Sequence, residues 1–172
     1  MERIAKFSKV TLDQFVTDVA SEKNGDITSA EILDATTVYD KIELPTRSTK
    51  DSAGYDIHTP FDVFLQPGET VKIPTGLRCL INRGWVLTVF PRSSVGFKYS
   101  VALCNTVGII DGDYYNADNE GHIWIKLINH GDKPFHANAG DRICQGIFLP
   151  YGITSDDDVD TVRSGGIGST GN

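Results

Sequence analysis

Hydrophobic positions follow two different rhythms along the chain. Near the start, Ile4, Phe7, Leu12, Phe15, Val16 and Val19 recur mostly at spacings of three and four, the pattern of one amphipathic helix or of two short ones. Thr11 followed by Gln14 has the form of a capping box, which starts a helix there. Asn24-Gly25-Asp26 breaks it, and residues 28–36 either form a second short helix or stay irregular. From Val38 onward the pattern is β. Short apolar runs span 61–65, 70–73, 77–81, 85–90, 100–103, 122–129 and 142–149. Gln66-Pro67-Gly68, Asn82-Arg83-Gly84, Asp111-Gly112 and His130-Gly131-Asp132 mark turns between them. Ile123, Ile125 and Leu127 alternate with Trp124, Lys126 and Ile128, which predicts a strand buried on both faces. Many short strands at this spacing predict an antiparallel sandwich, barrel or jelly roll. After Tyr151 the hydrophobic signal stops, and Asp156-Asp157-Asp158-Val159-Asp160 reads as a solvated acidic linker. The chain thus divides into a partly helical extension at 1–36, a β domain at 37–152, and a linker with a glycine-rich lid at 153–172.

Composition narrows the function classes. A length of 172 residues suits one domain with a sizeable core. The net charge of −7 repels nucleic acid and anionic lipid alike. It repels a small polyphosphate too, so binding one needs a local cluster of donors and a divalent cation. Cys79, Cys104 and Cys144 are odd in number and lie far apart, as expected of buried reduced thiols in a cytosolic protein. Residues 1–10 lack the apolar run of a signal peptide, and no stretch approaches the roughly 18 apolar residues of a membrane span. A cytoplasmic location is the expectation, or the host cytoplasm if the chain is viral.

Five segments carry candidate chemistry. Ser52-Ala53-Gly54-Tyr55-Asp56-Ile57 sets one carboxylate in a glycine-containing turn before a strand, where Asp also serves ordinary turn chemistry. In Pro91-Arg92-Ser93-Ser94-Val95-Gly96 a guanidinium and two hydroxyls supply phosphate donors. Residues 105–114, Asn105 to Tyr114, read as a strand, a tight Asp-Gly turn and a second strand. Two carboxylates and an aromatic ring sit at that turn. Gln145 interrupts an apolar strand at 142–149, where a buried amide needs partners that a ligand could supply. The tail from Arg163 to Gly171 is rich in glycine and hydroxyl residues, which lets backbone N–H groups close around an anion, with an arginine fork beside them.

In this order the segments AGYDI (53–57), PRSS (91–94), NTVGIIDGDY (105–114), GDRICQGIF (140–148) and GGIGSTG (165–171) resemble the five motifs of the trimeric dUTP nucleotidohydrolases, the dUTPases. The resemblance covers about residues 38–172 and leaves 1–36 unexplained. It implies an all-β fold, a distorted jelly-roll β-barrel with a short helical N-terminal extension and a flexible glycine-rich C-terminal tail. It implies a homotrimer with sites at subunit interfaces, cleaving dUTP to dUMP and pyrophosphate with Mg2+. Asp111 matches the aspartate that orients and deprotonates the attacking water. Tyr114 matches the ring that packs on the deoxyribose and leaves no room for a 2′-hydroxyl. Asn105 and the backbone of Gly108, Ile109 and Ile110 match the reader of the uracil edge, since an amide offers both a donor and an acceptor. Arg92, Ser93, Ser94 and Gln145 match phosphate contacts. Asp56 matches a carboxylate that touches the waters of a magnesium held mainly by the substrate's phosphates. Arg163 matches the arginine on the terminal phosphate, and Gly166, Ile167, Gly168, Ser169 and Thr170 match the closing lid.

Three departures accompany the resemblance. Ile167 stands where the family usually has an aromatic ring. Arg163 lies one residue nearer to Gly166 than is usual, and Tyr115 to Glu120 look like a short insertion. Two rival readings share the scaffold. A dCTP deaminase would need a catalytic glutamate, for which Glu120 is the nearest candidate. A non-catalytic nucleotide-binding regulator would have no need of an intact Asp111, Tyr114 and tail. Four scattered histidines (His58, His122, His130 and His136) give no zinc-deaminase arrangement and read as surface or strand residues.

Overall fold

Two threonines set where the helices begin. In the computed structural model, which describes residues 2–22, 28–161, 163 and 165, the Thr11 hydroxyl accepts the Gln14 backbone N–H at 3.2 Å and helix α1 (Leu12–Glu22) follows. Thr28 and Glu31 form a reciprocal capping box at the start of α2 (Ser29–Lys41), with the Thr28 N–H donating to the Glu31 carboxylate at 2.9 Å. The second helix therefore forms, and it runs past Val38, where the apolar pattern reads as β. The break expected at Asn24-Gly25-Asp26 lies outside the described residues.

Ahead of α1 the expected helical face is replaced by a strand, β1 (Ala5–Lys9). Then come β2 (Thr46–Arg47), β3 (Tyr55–His58), β4 (Val63–Leu65), β5 (Thr70–Pro74), β6 (Leu77–Ile81) and β7 (Trp85–Pro91). After the short helix α3 (Ser93–Tyr99) the chain forms β8 (Val101–Leu103), β9 (Gly108–Ile110), β10 (Trp124–Asn129), β11 (Phe135–Ala137) and β12 (Arg142–Pro150). β1 pairs antiparallel with β6, from Ala5↔Ile81 to Lys9↔Leu77. Pairing capped the free edge of β6 and put Phe7 between Tyr55 and Phe148, with ring centroids 5.6 and 5.8 Å away. These tertiary gains override the local three-residue spacing of Ile4 and Phe7.

The described strands assemble as β1-β6, β5-β10-β8, β11-β4 and β2-β3-β12-β7-β9. None of these sheets closes on itself among the described residues, and three α-helices stand beside them. The expected all-β barrel is thus corrected to a mixed fold of open antiparallel sheets and helices. Three-residue ladders such as β4 with β11 are too short to carry one sheet into the next, and a register shift between Arg142 and Cys144 bends β12. The main core gathers Ile57, Ile73, Leu77, Leu87, Ile125, Leu127 and Ile143 from several sheets. On β10 only the Ile125, Leu127 and Asn129 face is buried, while Lys126 is exposed and Trp124 half-buried. The expectation of a strand buried twice over is corrected, because the second face lines a cavity. No helix among the described residues is long and apolar enough to cross a membrane.

A second small core joins the N-terminal arm to the body through Val10, Phe15 and Ala35. Phe15 is fully buried and stacks on Phe61, with centroids 6.1 Å apart and planes 5° from parallel. Phe15→Ala is expected to lower stability by about 3–5 kcal/mol, read as an earlier midpoint of a single urea transition. A loss under about 1 kcal/mol, or a separate early transition for the arm, would contradict this shared core.

Candidate active site

The Asn105–Tyr114 segment forms one wall of a cavity of about 440 Å³. A tight turn presents Asn105: the Thr106 N–H reaches the Leu103 carbonyl at 3.0 Å, and Thr106 takes the left-handed conformation at φ 66°. β9 then pairs with β7, Gly108 opposite Val89 and Ile110 opposite Leu87. After Ile110 the expected second hairpin strand is replaced by a 3-10 helix, Gly112–Asn116. The Tyr114 N–H bonds back to the Asp111 carbonyl at 3.2 Å, and a Cβ on Gly112 would lie only 3.2 Å from the Ile81 carbonyl oxygen. Close packing on β6 therefore turns the chain away from a ladder. This turn leaves the Asp111 side chain about half exposed and buries the Tyr114 ring. Asn105, Gly108, Ile109, Ile110, Asp111 and Tyr114 all line the cavity, with Trp124, Lys72, Lys126, Cys104 and Arg163.

Tyr114 is fixed at its hydroxyl. It donates to the His122 carbonyl at 2.7 Å and accepts from the Asn119 amide at 2.9 Å. Burial pushes its ionisation upward; Asp18 adds to that, while the Asn119 bond and Arg163 oppose it. The hydroxyl is thus a neutral anchor, and the ring is what the cavity sees. Gly121, at φ 68°, lets the loop pass behind this ring, since a Cβ there would fall 2.5 Å from the Tyr114 carbonyl oxygen. Arg163 ion-pairs with Asp111 at 2.9 Å and Asp113 at 3.0 Å. Its guanidinium therefore sits on the turn's carboxylates, away from the arginine cluster described next. Gly166, Ile167, Gly168, Ser169 and Thr170 lie outside the described residues.

A second constellation surrounds Asp56 on β3. Its carboxylate takes Arg92 at 3.1 Å on one oxygen, and Ser48 at 2.7 Å and Arg142 at 3.1 Å on the other. Burial acts to raise the Asp56 carboxyl, but the Ser48 hydroxyl, Arg92 and Arg142 together outweigh it and hold it below the usual carboxylate range. Gln145 stands opposite Asp56 across the β12–β3 pair. Gly54 makes room for it, because a Cβ there would meet the Gln145 amide oxygen at 2.4 Å. Ser93 and Ser94 are exposed in the first turn of α3. The arrangement gathers guanidinium, hydroxyl and amide donors suited to an anion.

The two constellations do not meet within one chain. Arg92, Ser93, Ser94, Gln145 and Asp56 are absent from the cavity lining. β12 and β7 lie between β3 and β9, a separation of about 14 Å at roughly 4.8 Å per strand. Among the described residues no group of three or more His, Cys, Asp or Glu side chains could hold a metal ion. Asp56 already accepts from Arg92, Ser48 and Arg142, which leaves room for about one further donor such as a water. The described residues therefore fit an ion touched through water at Asp56, and they offer no cluster of three ligands that would grip one directly.

Several residues escaped the sequence reading. Arg142 and Ser48 are visible only once the strands are in register, although Arg142 lies inside a quoted motif. Lys72 and Lys126 face each other across β5 and β10, a like-charge pair that no local spacing reveals. Cys104 is exposed at the cavity, which corrects the expectation of three buried thiols; burial pushes Cys79 and Cys144 up to about 12. His122 is fully buried, which corrects its reading as a surface or strand residue. Glu120 accepts the Thr11 N–H at 2.8 Å and the Thr11 hydroxyl at 2.7 Å, so the deaminase reading's nearest glutamate is committed to the N-terminal arm.

Comparison with known proteins agrees with the motif order. The chain matches the dUTPase family model over residues 40–171. It is 44% identical over 133 residues to the deoxyuridine 5'-triphosphate nucleotidohydrolase of Lactococcus lactis subsp. lactis (strain IL1403), covering 76% of this chain and 89% of that protein. The crystal structure of dUTPase from Streptococcus mutans superposes with a TM-score of 0.59 at 41% identity, over 64% of this chain and 88% of that one. The dUTPase of Staphylococcus bacteriophage 80alpha shares the fold alone, with a TM-score of 0.56 at 24% identity, over 71% of this chain and 92% of the phage chain.

The Asp56 cluster has a pH signature. Its lowered carboxyl contributes stability that is present above the unfolded value of about 3.9 and is lost as pH falls through the folded value. Asp56→Asn is expected to cost about 1–3 kcal/mol at neutral pH, with the gap from the parent shrinking below about pH 4. Denaturation midpoints across pH measure this, and a constant gap down to pH 3 would contradict it.

Proposed function

The chain belongs to the dUTPase family: it is an enzyme that hydrolyses dUTP to dUMP and pyrophosphate, and we propose that Asp111 aims the water that does so. Such hydrolysis limits uracil incorporation into DNA and supplies dUMP for dTMP synthesis. The observation that carries the residue assignment is the convergence of Asn105, the β9 backbone, Asp111 and Tyr114 on one cavity. In this reading Asn105 and the Gly108–Ile110 backbone pair with the uracil edge. Cytosine reverses the donor and acceptor order and would leave buried groups unpaired, which is a strong basis for rejection. The Tyr114 ring supports the deoxyribose, where a ribose hydroxyl would clash.

Water attacks the α-phosphorus. Its oxygen forms the new P–O bond, the bond to the α–β bridging oxygen breaks, and pyrophosphate leaves with that oxygen. Asp111 takes the proton that the water sheds. Holding the water and phosphorus in line supplies much of the rate. Arg92, Ser93, Ser94 and Gln145 donate to phosphate oxygens. Arg163 is proposed to pass from Asp111 and Asp113 to the terminal phosphate as the Gly166–Thr170 segment closes, Ile167 covering the base by contact rather than by stacking. Magnesium dependence is typical of the family; bound to the triphosphate, the ion neutralises its charge, and Asp56 would touch one of its waters.

Trimeric organisation is typical of the family as well. We propose that the cavity of one subunit and the Asp56–Arg92–Arg142 cluster of a neighbour compose each site, within a distorted jelly-roll body. The separation of the two constellations in a single chain supports this. The enzyme is proposed to act in the cytoplasm, or in a host's if the chain is viral.

Asp111→Asn is expected to keep dUTP binding and to lose about 10²–10⁴-fold in turnover, because a neutral amide cannot take the proton. Equilibrium dialysis and pyrophosphate release measure the two quantities. Near-parent turnover in this variant would refute the base assignment.

A further inference from the structure

Helix α1 carries a polar stripe as well as its buried face. Thr11, Gln14, Asp18 and Glu22 follow at steps of three, four and four, so they lie along one side. Each has a partner. Thr11 is held by Glu120, and the Gln14 amide donates to Asp18 at 2.9 Å. Asp18 pairs with Nδ1 of His122, and Glu22 meets Lys72 at 2.7 Å. One of these contacts ends on a cavity residue, Lys72, and another ends on His122, whose backbone holds a second, Tyr114. Lys72 lies 4.0 Å above the Trp124 ring, and both line the cavity. His122 receives the Tyr114 hydroxyl on its own carbonyl.

The protonation of His122 follows from its partners. Nε2 accepts the Gly76 backbone N–H at 2.7 Å, so it carries no proton. The ring is therefore neutral with its proton on Nδ1, and Asp18 is the acceptor for that N–H. The imidazole is fully buried behind Asp18, so the carboxylate and not bulk water is the partner of Nδ1. One carboxylate from the arm thus fixes the ring, the ring fixes its residue, and the residue's carbonyl fixes the Tyr114 hydroxyl.

We propose that the N-terminal arm is a working part of the nucleoside pocket, with Asp18, acting through His122, as a positioning residue for Tyr114, and Glu22 as a second brace acting through Lys72 on Trp124. The proposal rests on the reading of Tyr114 as the sugar-facing ring. It gives residues 1–41 and the 115–121 loop a common purpose: the loop supplies Glu120 to dock the arm, and the docked arm sets the loop's neighbour, Tyr114.

Steady-state kinetics on the full-length chain with dUTP and UTP test it. Asp18→Ala, checked for folding by thermal melting, is expected to raise KM for dUTP about 3–10-fold with kcat changed less than about twofold. The preference for dUTP over UTP should narrow by about tenfold. Asp18→Asn keeps an oxygen acceptor for the Nδ1 proton and is expected to restore both quantities to within about twofold of the parent. A folded Asp18→Ala protein with unchanged KM and preference would overturn the proposal. If Asp18→Ala does not fold, Glu22→Ala decides: at the half-exposed end of the helix it should raise KM about two- to threefold at constant kcat, and an unchanged KM would overturn the arm's role. Tyr114→Ala separates the two layers of the argument. If it leaves the dUTP preference intact, the sugar-facing reading fails; if it abolishes the preference while Asp18→Ala does not alter it, only the arm's role fails.

Discussion

The ladder of β7 governs the geometry of the candidate site. One side of this strand pairs with β12 from Cys144↔Pro91 to Pro150↔Trp85, and the other with β9 from Leu87↔Ile110 to Val89↔Gly108. Gln145 is thereby fixed opposite Phe90, with Asp56 on its other side across the β12–β3 pair, and Asp111 is carried just past the end of β9. Slipping β7 by one residue would send every side chain on it to the opposite face. It would take Leu87 and Val89 out of the main core and turn the buried Thr88 hydroxyl into it. Burial of those residues is what holds the register, and the register holds the two constellations apart.

The same logic explains why an arm absent from the motif pattern is tied so firmly to the body. β1 completes the edge of β6, Phe15 fills a pocket against Phe61, and Glu120 reaches back to the start of α1. Glu120 adopts the left-handed conformation at φ 56° and precedes a glycine that also does. Backbone of this kind persists where its surroundings over-determine it, and here the Thr11 and Arg78 contacts do so.

Much of the fold was legible in the amino-acid order. β6 matches its apolar run from end to end, β7 and β12 match theirs to within a residue, and α1 begins at the threonine that caps it. These elements are specified by local pattern. What was not legible depends on partners far away in sequence. Phe7 reads as helical until Tyr55 and Phe148 flank it, and Trp124 reads as core until the cavity beside it appears. The candidate site divides in the same way. Asp111, Asn105 and Tyr114 stand close together in sequence and are visible as a motif. Asp18 with His122, Glu22 with Lys72, and Arg142 with Asp56 are joined only by the fold, so no spacing could disclose them.

The central claim is that hydrolysis requires the Asp111 cavity of one subunit and the Arg92 cluster of another. Activity of a mixed assembly tests it most directly. Asp111→Asn and Arg92→Ala subunits, each inactive alone, are combined in equal amounts under conditions that exchange subunits. In a cyclic trimer with sites shared between neighbours, about one site in four then pairs an intact cavity with an intact cluster. Recovery of about a quarter of the parent activity is the result expected. No recovery in assemblies verified as mixed would mean that both groups act within one chain, and would contradict the account.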